Sequence, residues 1–173
     1  MDSSASFARI EGGPDNRAMF APSPADVRRF FVEAGRKRAD ALPLTPLETI
    51  AADWVEAHPE YSADLATAES GLADDTPGGD SVSATSPAVG DGGRENPFLH
   101  LSMHLSITEQ IGIDQPPGIR EAYAQLVARR GSPHEAQHDI MECLGRMLWE
   151  SQRSGQPPDG DAYVECVRRR SRR

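Results

Sequence analysis

Apolar positions recur at helical spacing in six stretches of this chain, and four of those stretches open on a capping residue followed by proline. In Ser23-Pro24-Ala25-Asp26, Ser23 suits the N-cap, Pro24 the first helical position and Asp26 the third. Val27, Phe30, Phe31 and Ala34 follow at helical intervals, which predicts a helix over 24–39. Thr45-Pro46-Leu47-Glu48 repeats the device, and Ile50, Ala51, Trp54 and Val55 supply the stripe of a second helix. That helix is expected to end near Ala57, because Pro59 disfavours helical geometry at His58. Asn96-Pro97 opens a helix over about 97–112, and Pro116-Pro117 one over about 117–130 that stops at Gly131. Ser132-Pro133 opens the longest, about 133–154, closed by Gly155; Pro157-Pro158-Asp159 precede a short last helix over about 159–168. No stretch alternates as a strand would, and no repeat of solenoid type is present. The pattern predicts an all-α fold, a small bundle of five to six helices.

Between the elements the composition shifts. Residues 1–18 read as a flexible leader broken by Gly12-Gly13-Pro14-Asp15, and Met19, where patterning begins, is a second candidate start. Residues 66–95 are rich in Gly, Ser, Asp, Thr and Ala without a period. Such a stretch buries too little surface to offset its ordering entropy, so a disordered insert is expected between the second and third helices. The N-terminal helical pair, 19–65, and the bundle core, 96–168, are expected to form one domain. The last residues, 169–173, read as a frayed basic tail.

Composition narrows the function classes. The net charge of −9 and pI near 5.0 argue against a dedicated nucleic-acid binder. No apolar run approaches the roughly 18 residues a membrane span needs. Residues Met1 to Ile10 lack both the basic start and the apolar stretch of a secretory signal. Cys143 and Cys166 are not in a C-x-x-C pattern and are expected to be buried reduced thiols, in keeping with a cytoplasmic protein. Trp54 and Trp149 are expected in the core.

The sharpest chemical signal is the histidines. Four of the five form two i, i+4 pairs, His100/His104 and His134/His138, each just inside the start of a predicted helix. Residues four apart share one helix face. Short loops make the helices over 97–112, 117–130 and 133–154 an up-down-up set, so the first and third run parallel and both pairs lie near one end of the bundle. His58, at the end of the second helix, reaches the same end if that helix is antiparallel to the next. Helix N-termini favour neutral imidazole, the form that ligates metals. The predicted ligands for zinc, iron or manganese are therefore His100, His104, His134 and His138, with Glu142, one turn past His138, and His58 as further ligands or supporting partners.

His134-Glu135-Ala136-Gln137-His138 also matches H-E-x-x-H, in which the glutamate acts as general base of a zinc peptidase. Glu135 is thus a candidate catalytic residue, but Ser132-x-x-Glu135 reads equally as a capping box. The absence of a predicted sheet edge to hold substrate weighs against a peptidase. An open metal position would instead suit a metal-dependent hydrolase or a redox protein. The competing reading is a non-catalytic adaptor whose histidines form a buried hydrogen-bonded network, with a protein partner docking on an exposed helix face or on Phe30/Phe31.

Several stretches, taken together, resemble one bacterial family, domain of unknown function 1841. They are Met19-Phe20 to Phe31, Leu44 to Glu48, His58-Pro59-Glu60-Tyr61, Asn96 to His104, Asp114 to Arg120, and His134 to Cys143. They span about 19–65 and 94–168 and include all five histidines. The resemblance implies a small helical bacterial protein with no established activity to carry over. The leader, the Gly/Ser/Asp-rich insert and the arginine tail depart from the family pattern.

Overall fold

The computed structural model describes residues 23–73 and 96–172. Seven α-helices are present among these residues: α1 Pro24–Ala39, α2 Pro46–Ala57, α3 Ser62–Ala73, α4 Pro97–Ile113, α5 Ile119–Arg130, α6 Pro133–Ser154 and α7 Gly160–Ser171. A short 3-10 turn, Pro59–Tyr61, joins α2 to α3. No strand occurs among the described residues, so the all-α expectation holds. The leader 1–18, Met19 and most of the expected insert lie outside the described residues.

The caps set the boundaries. The Ser23 and Thr45 side chains accept from the backbone N–H groups of Asp26 and Glu48, whose carboxylates reach back to complete both capping boxes. Asn96 accepts from Phe98 and Leu99 at the start of α4, Ser132 from Glu135 at the start of α6, and Asp159 from Ala162 at the start of α7. α5 begins two residues later than Pro117: Gly118, not a proline, stands at its N-cap. Gly118 has φ 89°, a left-handed backbone conformation that calls for glycine there.

Four expectations need correction. The chain is helical through Ala73, so residues 66–73 belong to α3 rather than to a structureless insert. Alanine-rich and weakly amphipathic, α3 carries no strong stripe to announce it. The arginine-rich C-terminus is helical through Ser171, because Arg170 is anchored to Asp139 and Glu142 on α6. Cys143 and Cys166 are joined in a disulfide between α6 and α7 (Cα–Cα 5.9 Å), not present as free thiols. Trp149 is 54% exposed, its ring covered on one side by the Arg153 guanidinium at 5.1 Å, and is not a core residue.

Two apolar clusters fill the interior. One, built by α4, α5, α6 and α7, gathers Ile107, Ile119, Leu126, Ile140, Tyr163 and Val167 around the disulfide. The other, built by α1, α2 and α4, gathers Phe31, Ala34, Ala51, Ala52 and Leu101. Phe31 is thus buried and Phe30 packs against the same cluster, which removes this pair as an exposed docking site. Helix α4 serves both clusters, with Leu101 in one and Ile107 in the other; His104, one turn past Leu101, is fully buried between them.

Candidate metal centre

All five histidines meet at one place. His100 and His104 come from the first two turns of α4, His134 and His138 from the first two turns of α6, and His58 from the residue that ends α2. Pro59 stops α2 and starts the 3-10 turn, which leaves His58 on a nonhelical backbone aimed at the other four. His58 Nε2 lies 3.1 Å from His100 Nε2 and 3.0 Å from His134 Nε2, and His100 Nε2 lies 3.1 Å from His104 Nε2. One nitrogen each from His58, His104, His134 and His138 falls within 4.8 Å of the others. The predicted meeting of the two pairs is therefore present, and His58, expected as a further ligand or supporting partner, sits among them.

The support is as specific as the cluster. His58 Nδ1 lies 2.9 Å from the Trp54 carbonyl, which can only accept, so Nδ1 carries the proton and Nε2 presents a lone pair inward. Thr108 fixes the second tautomer. Its hydroxyl donates to the His104 carbonyl at 2.9 Å and accepts from Trp54 Nε1 at 2.9 Å and from Gln137 Nε2 at 3.1 Å. With its amide nitrogen turned to Thr108, Gln137 presents Oε1 to His104 Nδ1 at 3.1 Å. His104 therefore donates from Nδ1 and also turns a bare Nε2 inward. Trp54 closes the wall, stacked on His104 with centroids 3.9 Å apart and planes 14° apart. Tyr61 lies parallel to His58 at 5.6 Å and edge-on to His100 at the same distance.

The electrostatics favour the neutral form of His104 and His134. Burial, with the neighbouring histidines adding to it and the Gln137 bond opposing it, lowers the His104 pKa to about 3. Burial lowers His134 as well, reinforced by His138 and His58, against the pull of Glu135 and Glu60. Buried His138 Nε2 has no hydrogen-bond partner. The dipoles of α4 and α6 act in the same direction, each offering its positive end to the cluster.

The carboxylates do not join. The Glu142 side chain is 66% exposed and pairs with Arg170, so it is not a ligand. The arginine that draws it away comes from the segment expected to be frayed. Asp139, next to His138, is likewise engaged elsewhere: Arg130 at 2.5 Å and Arg170 at 2.7 Å hold it ionised despite its burial. Glu135 is exposed, and its backbone N–H is 3.3 Å from the Ser132 hydroxyl, as a helix cap requires. The supporting roles of Trp54, Thr108 and Gln137 escaped sequence reasoning. The usable signal was the i, i+4 spacing of Trp54 with His58 and of His104 with Thr108, and the place of Gln137 beside His138.

Fold and site together define an all-α protein with a buried five-histidine centre carried on three helices. The chain belongs to the family described as domain of unknown function (DUF1841), whose model matches residues 23–169 and so takes in α1 to α6, most of α7 and all five histidines. No curated protein and no solved structure matches it.

Proposed function

We propose that this protein binds a transition-metal ion through His58, His104, His134 and His138, with His100 beside them. The observation that carries this reading is an excess of lone pairs. His58 Nε2 offers one in-plane lone pair, yet two imidazole nitrogens approach it at 3.0 and 3.1 Å. At most one of those contacts is a hydrogen bond. His104 Nε2 is a second inward acceptor, and His138 Nε2 is buried without a partner. A purely hydrogen-bonded network leaves these groups competing for protons, at a cost of about 1–3 kcal/mol for each buried group unmatched. A cation at the centre satisfies every lone pair at once. The 3.0 Å between His58 Nε2 and His134 Nε2 is a separation open to two nitrogens about 2.1 Å from one ion.

The hydrogen bonds behind the ring support the same reading. Metal-bound imidazoles commonly donate their other N–H to a carbonyl or amide oxygen, and Trp54 and Gln137 receive them here. Zinc, iron and manganese are the ions to try, with hydrolysis or redox chemistry the classes an open position would permit. A peptidase is the weaker reading: the Glu135 carboxylate belongs to an exposed residue, and no sheet edge lies among the described residues to hold a peptide.

The test is elemental analysis of the purified full chain, before and after chelator and after reconstitution. About one equivalent of metal is expected, lost in His104→Ala and His138→Ala variants that keep their helical circular dichroism. Full retention of metal in both variants, or none after reconstitution with each ion, overturns the reading.

A further inference from the structure

Every candidate donor at this centre is an imidazole, which brings no negative charge, and the described residues place no carboxylate in the ligating group. A divalent ion held there keeps its full charge in a largely buried setting. A buried charge without a counter-charge is costly. The nearest acidic side chains that act on the cluster, Glu60 and Glu135, belong to exposed residues, and the pair acts on His134 only through space. Their effect is screened by water and does not replace a directly bound anion.

The cluster also has two unlike sides. His58 and His104 are sealed, behind Trp54, Thr108 and Gln137. His100, His134 and His138 are half-buried, so the centre is closer to water on their side. Spacing suggests how many positions the histidines fill. Four nitrogens placed tetrahedrally about 2.0–2.1 Å from an ion lie roughly 3.3–3.4 Å apart, whereas neighbours at right angles lie roughly 2.9–3.0 Å apart. The separations of 3.0–3.1 Å in the ring through His134, His58, His100 and His104 are nearer the second value. His100 Nε2 stands almost as close to His58 and His104 as His134 does to His58, which puts His100 within reach as a fifth ligand.

We propose that the metal centre keeps one exchangeable position on the side of His100, His134 and His138, and that this position takes a small anion. The inference rests on the metal-binding reading above. It gives the site a ligand class, a small anion, and sets the centre apart from a closed structural staple.

The experiment loads the full chain with Co²⁺, whose visible bands report coordination number, and titrates azide as the probe. Expected are weak bands of a five- or six-coordinate ion, a saturable shift on adding azide, and reversal of that shift on dialysis. His100→Ala should keep one equivalent of cobalt on the remaining four histidines, with bands several-fold more intense as coordination falls. Intense four-coordinate bands in the unaltered protein, or bound cobalt indifferent to azide, overturn this inference while leaving the metal site standing. No cobalt uptake at all overturns the metal site, and this inference with it.

Discussion

The two apolar clusters share helix α4 but are made of different material. The α5–α6–α7 side packs large aliphatic side chains, seals Tyr163 among them with its hydroxyl donating to Gln110, and adds a disulfide. The fully buried part of the α1–α2 side is one large ring, Phe31, with three alanines and Leu101; half-buried Phe30, Trp54, Tyr61 and Phe98 pack around it, and it abuts five imidazoles. Alanine permits close helix approach but buries little apolar surface, so each such contact contributes less. One side of the molecule is therefore held by its own packing. The other is held in part by what its histidines do, which is where a protein can hide a dependence on a bound ion.

That contrast can be broken most forcefully in the first cluster. Ile140→Ala should cost about 2–5 kcal/mol of unfolding free energy, by transfer and cavity together, with the same loss in metal-loaded and chelated protein. A cost that changes with metal would show that the two sides are not independent. Replacing both Cys143 and Cys166 by serine should lower stability by about 3 kcal/mol, the value for a cross-link closing a loop of this size, without changing metal stoichiometry. Chemical denaturation beside elemental analysis separates the two readouts.

On the histidine side, Gln137→Leu removes the acceptor that orients His104 while keeping bulk. Metal affinity should fall by about 10–100-fold in competition with a chromophoric chelator. Unchanged affinity would mean that the Trp54 ring alone sets the orientation of His104. The smallest effect is expected at the surface. The Lys37 ammonium, 2.5 Å away, and the Thr45 backbone N–H hold the Glu48 carboxyl down at about 2, below its ordinary 4.5. Because the folded value is the lower one, the contribution is complete above about pH 4.5 and is lost as pH falls through about 2. Glu48→Gln should flatten the stability profile across that window and leave the metal centre untouched.

Helix limits were legible wherever chemistry marks a terminus. Ser23, Thr45, Asn96, Ser132 and Asp159 announce their helices because a side-chain oxygen is needed at those points to satisfy free N–H groups. α3 has no such cap and no stripe, and so read as part of the insert. The histidine pairs were legible because an i, i+4 spacing is a local fact, and their meeting followed from short loops. What was not legible depended on distant competition. Glu142 shares the C-terminal side of His138 in sequence, but Arg170 claims it in space. Asp139 is claimed by Arg130 and Arg170 in the same way. Cys143 and Cys166 are 23 positions apart, and only the packing of α7 on α6 brings them together.

The separation of His58 and His134, 76 positions apart and yet 3.0 Å from each other, carries a consequence for how the molecule comes into being. A chain emerging from the ribosome N-terminus first exposes His58, then His100 and His104, long before α6 exists. No early segment holds more than a fragment of the ring, and closing a loop of that length carries an entropic cost that later contacts must offset. On the metal-binding reading, capture is a late event, open only to a chain whose three histidine-bearing elements have already found one another. On that reading occupancy becomes a report on completed folding.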